Sequence, residues 1–150
     1  MLALSIRQPW ASLILMAGKD IENRNWKTNV RGRVLIHASK GMTHGEHEDA
    51  IEFAIGAIRS HDRNAGSKRI VTLRELGFEF DALQRGGIIG SVEIVDCVRA
   101  SNSPWFMGEY GFVLKDPQPL PFRAYKGQLG FFEVSPCPPA PTTSPIANRI

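Results

Sequence analysis

Three strand-like segments crowd the later part of the chain and limit the fold more than any other feature. They are GGIIGSVEIVDCVRA (86–100), EYGFVL (109–114) and LGFFEV (129–134). Their β-branched and aromatic residues favour strands, and the order along the chain favours hairpin-like connections between them. The doubled glycine at 86–87 permits a sharp turn into the first of these strands.

The N-terminal residues predict one strand followed by one helix. The segment ALSIR (3–7) alternates apolar and polar side chains, as a strand does, and Pro9 must end it. Proline is favoured at the first helical position, so we expect a helix to begin at Pro9. Gly18 is placed to cap its C-terminus. Apolar residues recur at helical spacing between these two positions: Trp10, Leu13, Ile14 and Ala17.

Two further segments read as extended chain. Residues 20–26 alternate again, which places Glu22, Arg24 and Trp26 on one face. Residues 33–38, RVLIHA, are the clearest core strand.

The middle of the chain predicts two helices around a polar loop. Residues 43–60 carry isoleucines at helical spacing after Thr43, a candidate N-cap. Residues 61–69, HDRNAGSKR, are polar and read as a loop. A second, shorter helix is predicted over 72–83, with Thr72 as its cap.

This order of elements is typical of an α+β protein: a small, largely closed β-barrel with helices packed against it. The 150 residues suit one domain with a real core, which we assign to residues 1–135. Residues 136–150 hold half of the 10 prolines and predict an extended or flexible tail. A Pro-rich tail of this kind could recruit a protein partner.

Composition narrows the class of protein. An apolar fraction of 43% and a charged fraction of 22% are ordinary for a soluble globular domain. The net charge of +3 mildly favours anionic partners. Cys97 and Cys137 are far apart, which predicts neither a disulfide framework nor a metal site, and we expect no cofactor. The longest apolar run, Ala11 to Ala17, is too short to span a membrane, so we expect a cytoplasmic protein.

Four residues near the first helix form the best candidate site. Lys19, Glu22, Arg24 and Trp26 could converge on one cleft, where the carboxylate would hold both cations and leave them donors for phosphate. The tryptophan would offer a base a stacking surface. The alternative is a solvated edge strand with a surface ion pair and a core tryptophan.

The other candidate residues are better explained by structural roles than by a binding or catalytic role. Trp10 opens the apolar stripe of the first helix and reads as a core anchor, which leaves Gln8 as the better ligand candidate there. His37 lies inside a core strand, where a structural histidine is the usual case. His44 and His47 are three residues apart, but no further ligand cluster supports a metal, so we expect solvated helix residues.

The sequence resembles the ASCH (activating signal cointegrator-1 homology) domain family. The sequence segments that match the family are SIRQPWASLI, GKDIENRNW and RGRVLIHAS, followed by GIIGSVEIVDC, EYGFVL and KGQLGFFEV. The resemblance implies a PUA-like fold, which is a small β-barrel with a cleft beside the first helix. In such proteins the cleft is thought to bind RNA or single-stranded nucleic acid.

By that resemblance Lys19, Glu22 and Arg24 match the family signature, and three residues become cleft neighbours: Gln8, Trp26 and Ser39. Some relatives are hydrolases, and one group that deacetylates N4-acetylcytidine has a threonine three residues after the lysine. This chain has Glu22 there, and a carboxylate does not replace a hydroxyl nucleophile.

Two functions remain open from the sequence. The first is a nucleic-acid-binding module for RNA or single-stranded nucleic acid. The alternative is a small RNA- or nucleoside-directed hydrolase, of the ribonuclease or modified-cytidine amidohydrolase type. In that alternative Lys19 would stabilise developing negative charge, and Glu22 or Glu93 would be the general base.

Overall fold

A computed structural model describes residues 1–65, 73 and 75–136 of the chain. Six strands, two α-helices and one short 3-10 helix make up the described part. In chain order they are β1 (Leu2–Ile6), α1 (Trp10–Met16), β2 (Ile21–Arg24), β3 (Gly32–Ala38), α2 (His44–Ala65), the 3-10 helix (Phe80–Ala82), β4 (Gly87–Val98), β5 (Tyr110–Ala124) and β6 (Phe131–Glu133).

The six strands form one curled sheet in the order β2-β5-β4-β3-β1-β6. Strands β1 and β3 are parallel, and every other neighbouring pair is antiparallel. The curled sheet with its two helices confirms the predicted α+β small barrel of the PUA-like type. Hydrogen bonding does not join the outer strands β2 and β6, which are the two edges of the sheet.

Two apolar cores hold the helices on the sheet. In the first, Ala11 and Ile14 of α1 pack on buried residues of the strands, among them Leu4, Ile36 and Phe112. The second core lies between the helices and contains Leu13, Ile21, Ala54, Ala57 and Trp105. Helix α1 therefore packs in both cores, and this packing sets the position of the residues that follow it, Gly18 and Lys19.

The ends of α1 differ slightly from the prediction. The helix begins at Trp10, so Pro9 is its N-cap and not its first helical residue, and the Gln8–Pro9 peptide is cis. Gly18 follows the C-cap with φ of 76°, a conformation that glycine adopts without a Cβ penalty. The Lys19 amide donates to the Leu13 carbonyl, which turns the chain towards β2.

Helix α2 has the predicted N-cap but a different end. The Thr43 hydroxyl accepts from the Glu46 amide, and the Glu46 carboxylate accepts from the Thr43 amide, which is a capping box. The helix continues to Ala65, so the predicted polar loop at 61–69 is helical over its first residues. Residues 66–72 and 74 lie outside the described part of the chain.

The second predicted helix is absent from the described part of 72–83. Residues 75–77 form a turn, and Gly77 has φ of 80°, which interrupts helical hydrogen bonding. Only the 3-10 helix follows. Two histidines hold this segment on α2: His47 Nε2 donates to the Phe78 carbonyl at 2.7 Å, and the His44 ring stacks on Phe80.

Strand β5 is far longer than the predicted strand at 109–114. Strand β2 pairs only with residues Tyr110 to Val113 of β5, so the remainder of β5 is an edge strand. That remainder contains Pro117, Pro119 and Pro121, and a residue without an N–H is tolerated at an edge. Because proline usually argues against a strand, these three prolines explain why the sequence did not predict this part of β5.

The predicted tail cannot be compared with the fold, because residues 137–150, with Cys137 among them, lie outside the described part. The domain limit at residue 135 therefore stays a prediction. No helix in the described ranges is long and apolar enough to cross a membrane.

Candidate functional site

Lys19, Glu22 and Arg24, here called the charged trio, lie together in space. Lys19 Nζ is 3.6 Å from Glu22 Oε2, and Arg24 Nε is 3.9 Å from Glu22 Oε1. The turn at Gly18 brings Lys19 back over the end of α1. Strand β2 then places Glu22 and Arg24 on the same face, because side chains two residues apart in a strand share a face.

Two members of the charged trio, Lys19 and Glu22, are buried, which is unexpected for residues predicted to contact phosphate. Lys19 is only 3% exposed, and its Nζ donates to the Ile21 carbonyl and lies 5.6 Å from the centre of the Trp10 ring. Burial lowers the pKa of the Lys19 ammonium, and the adjacent Glu22 carboxylate offsets part of that effect. Lys19 therefore faces the protein interior and not the solvent.

The Glu22 carboxylate is held by its ion pairs with Lys19 and Arg24, and no hydrogen bond reaches its Oε2 from the described residues. That oxygen is buried and has no hydrogen-bond partner within the described residues, although Lys19 is close enough for an ion pair. A buried carboxylate is strongly dependent on the cations beside it. Glu22 thus ties Lys19 and Arg24 into one unit.

Arg24 and Trp26 connect the β2 edge of the sheet with β1 and β6 at its other end. Arg24 Nη2 donates to the Ser5 carbonyl of β1 at 2.9 Å, and the guanidinium lies 5.9 Å from the Trp26 ring centre. The Trp26 ring makes edge contacts with Phe112 and Phe131. Because Phe131 belongs to β6, side chains close the gap that backbone hydrogen bonds leave open between β2 and the opposite edge.

A cleft of about 880 Å³ lies on the other side of Ser5. It is bounded by the ends of β1 and β3 and by the loop after β5. Its lining is Ser5, His37, Ser39, Lys40, Gly86, Ala124, Tyr125, Lys126, Gly127, Gln128 and Leu129. The lining contains two lysines and no carboxylate, so the cleft favours an anionic ligand.

His37 is a structural part of this cleft. Its Nε2 lies 2.7 Å from the Tyr125 carbonyl oxygen, which can only accept, so Nε2 donates and Nδ1 is free to accept from the Ser5 hydroxyl. A Cβ on Gly127 would come within 2.4 Å of the His37 ring. His37 therefore fixes the loop that forms one wall of the cleft.

The predicted site residues fall into two groups. Trp26 lies beside the charged trio, whereas Ser39 lines the cleft and its buried Oγ has no hydrogen-bond partner within the described residues. Ser5 connects the groups, since its carbonyl accepts from Arg24 and its side chain faces the cleft.

Gln8 stands apart from both groups because its polar atoms are engaged. Its Nε2 donates to Ser12 Oγ and to the Gln84 carbonyl, and its Oε1 accepts from the Ser12 amide. Gln84 precedes Gly86 of the cleft lining by two residues. Gln8 therefore links the start of α1 to one wall of the cleft.

The sequence reasoning missed Lys40, Lys126 and Gln128 as cleft residues. Lys40 follows the residues HAS (37–39) at the end of β3, and Lys126 and Gln128 follow the end of β5. Isolated lysines in loops carry no sequence pattern, and long-range contacts bring the loop to the cleft: Gly127 packs on His37, and the Tyr125 carbonyl accepts from His37. Glu93, the alternative general base, lies opposite Arg33 and Lys115 in the sheet and is not in the lining.

No three His, Cys, Asp or Glu side chains in the described ranges are placed to hold a metal ion. The sequence predicts His44 and His47 as solvated helix residues. His44 is exposed and its ring stacks on Phe80, whereas His47 is half-buried and donates to the Phe78 carbonyl.

Comparison with known proteins now defines the class. The family model of the ASCH domain matches residues 4–128, most of the chain, and the chain belongs to the ASCH domain family. It is similar to activating signal cointegrator 1 of Homo sapiens, with 26% identity over 130 residues that cover 78% of this chain and 19% of that protein. The Mus musculus protein is 26% identical over 125 residues, with the same shares. The chain thus spans about a fifth of the length of these relatives.

Proposed function

We propose that this chain is a nucleic-acid-binding module for RNA or single-stranded nucleic acid, and that the cleft at Ser39 receives the ligand. The observation that carries the proposal is the lining of the cleft, which has cations and hydroxyls and no carboxylate. Membership of the ASCH family, a general RNA-binding-type module, supports the same class of ligand.

The charges around the cleft fit a phosphate backbone. Lys40 and Lys126 are exposed, and no ion pair joins either of them to a carboxylate in the described part of the chain. Arg85 donates to the Lys40 carbonyl, and Arg123 lies 5.3 Å from the centre of the Tyr125 ring. Arg123 also donates to the Ser135 and Pro136 carbonyls, and neither arginine is part of the lining. Lys40 and Lys126 are therefore the two lining cations suited to a phosphate contact.

The size of the cleft favours a single strand. A volume of about 880 Å³ is in the range of small-ligand sites, so it takes a nucleotide unit rather than a duplex. Ser39 is part of the lining, and its hydroxyl is buried without a hydrogen-bond partner within the described residues, so a base edge or a ribose hydroxyl would have to reach beneath the surface of the cleft to bond it.

The charged trio has a supporting role in this proposal. The Arg24 side chain is 19% exposed and lies outside the lining of the cleft, where it donates to the Ser5 carbonyl and so holds one wall, and the buried Glu22 positions its guanidinium. Trp26 is half-buried and supports the Arg24 guanidinium. Gln8 holds the wall at Gln84. A protein partner bound by residues 136–150 and a cytoplasmic location stay predictions from the sequence.

A hydrolase is the second candidate, because two features of the trio suit catalysis. Burial lowers the pKa of Lys19, and Glu22 Oε2 has no hydrogen-bond partner within the described residues. A lysine and a carboxylate in such surroundings can stabilise an oxyanion and accept a proton. Against this, neither group lies in the lining of the cleft.

The substitution Glu22→Gln separates the two candidates. The pure protein should retain labelled single-stranded RNA and release no product from that RNA or from N4-acetylcytidine. The variant should bind RNA within about threefold of the parent, because the amide keeps the size of the side chain and leaves the cleft cations in place.

Thermal unfolding of both proteins is the control, since only a folded variant makes the comparison valid. Product formed by the parent and lost in the variant, with binding retained, would assign Glu22 as a general base and replace the binding module with a hydrolase.

A further inference from the structure

The most exposed large apolar side chain in the described part of the chain is at the rim of the cationic cleft. Leu129 is 99% exposed, compared with 58% for Met107, the next in order. A single exposed leucine is ordinary on a protein surface. Its place among the residues that line the cleft is what requires an explanation.

The loop that carries Leu129 is tied down on both sides. Before it, the Tyr125 carbonyl accepts from His37 and the Tyr125 amide donates to the Gly86 carbonyl. After it, the Gly130 carbonyl accepts from the Ser5 amide, and Gly130 has φ of 68°. Both ends of the loop are therefore anchored to the walls of the cleft, and Leu129 projects from a fixed frame.

The surroundings indicate the occupant that would cover Leu129. The cleft beside it supplies Lys40 and Lys126 and no carboxylate, which selects a ligand with both an anionic part and an apolar face. A nucleotide has this combination, because a phosphate lies within one unit of a flat base. Leucine side chains are among the apolar groups that proteins pack against unstacked bases.

We propose that Leu129 packs against an unstacked base of a single-stranded nucleic acid while Lys40 and Lys126 hold the adjacent phosphates. This inference rests on the proposed function and extends it by assigning a base contact to a residue outside the charged trio. It also makes binding depend on the presence of bases and not on charge alone.

The test compares three anionic probes with the parent and Leu129→Ala. The probes are a short labelled oligouridylate, the same ribose-phosphate chain without bases, and inorganic polyphosphate. We expect the variant to lose about three- to tenfold in affinity for the oligouridylate, because part of an apolar side chain no longer packs on the base. Its affinity for the other two probes should not change.

Met107→Ala is the matched control, since Met107 is also exposed but is not in the cleft lining; its binding should equal that of the parent. Equal affinity of the parent and Leu129→Ala for the oligouridylate would overturn the inference and leave the proposed function intact. An equal loss on all three probes would also overturn it, because that loss would not depend on a base.

Two other outcomes would also decide the role of Leu129 or of the whole cleft. Failure of the parent to bind any of the probes would refute the proposed function and, with it, this inference. Self-association of the parent that disappears in Leu129→Ala, with oligouridylate binding unchanged, would assign Leu129 to a contact between copies of the chain and overturn the base contact.

Discussion

Replacement of Lys19 with methionine should lower the free energy of unfolding by about 3 kcal/mol or more. The substitution keeps an unbranched apolar stem but removes the cation 3.6 Å from Glu22, and the Ile21 carbonyl loses its donor. Among the described residues, Arg24 at 3.9 Å would then be the cation left beside the buried carboxylate. Chemical denaturation of the parent and the variant measures the difference.

A double substitution is the control for this interpretation. In Lys19→Met with Glu22→Leu both charges are absent, so much of the lost stability should return, because an apolar pair has no buried charge to compensate. A Lys19→Met variant as stable as the parent would contradict the buried ion pair.

The pH dependence of stability gives a second check on Lys19. Its pKa is lowered in the folded protein from the ordinary value of 10.5, so the unfolded chain binds more protons in the alkaline range below 10.5. Stability therefore gains a positive slope with pH in that range. The parent should show this contribution, and the Lys19→Met variant should lack it.

The second large effect is expected at Arg24. Arg24→Ala should lower the free energy of unfolding by about 2–3 kcal/mol, because it removes the hydrogen bond to the Ser5 carbonyl and the second cation beside the buried Glu22. It also uncovers one side of Trp26. The loss should appear as a lower denaturation midpoint with an unchanged slope, since the fold itself is retained.

Arg24→Lys and Arg31→Ala complete that experiment. The lysine keeps the charge but not the planar fork that reaches both Glu22 and Ser5, so it should recover only part of the lost stability. Arg31 pairs with Asp96 on the surface, and its loss should cost less than about 1 kcal/mol. An Arg24→Ala variant as stable as Arg31→Ala would show that Arg24 does not close the sheet.

The positions of Glu22 and Arg24 follow directly from the sequence, whereas the surroundings of Lys19 do not. Period-two alternation places two residues of β2 on one face, and that is a local property of the chain. The burial of Lys19 depends on α1 and Trp10 packing above it, which is a property of the tertiary structure. For the same reason the closure of the sheet by Arg24 and Trp26 was not predictable, because their partners are distant along the chain.

The elements that were mispredicted have equally specific causes. A proline at every second residue from Pro117 to Pro121 indicates a loop in the sequence. A strand is possible there because this part of β5 is at a free edge, where no neighbouring strand needs the missing N–H groups. Gly77 permits either a helix with a local cost or a turn, and contacts of His44 and His47 with the following residues hold the turn. Each outcome was decided by packing and not by local propensity.

The most direct test of the account is the salt dependence of single-stranded RNA binding, because it counts the phosphates that the cleft neutralises. The logarithm of affinity falls with the logarithm of salt concentration by about 0.7 for each neutralised phosphate of a single strand. Replacement of both Lys40 and Lys126 with alanine should therefore flatten the slope by about 1.4. Lys115→Ala, on the same strand β5 but far from the cleft end, should leave the slope of the parent unchanged. An unchanged slope in the double variant would contradict the central claim that this cleft binds the nucleic acid.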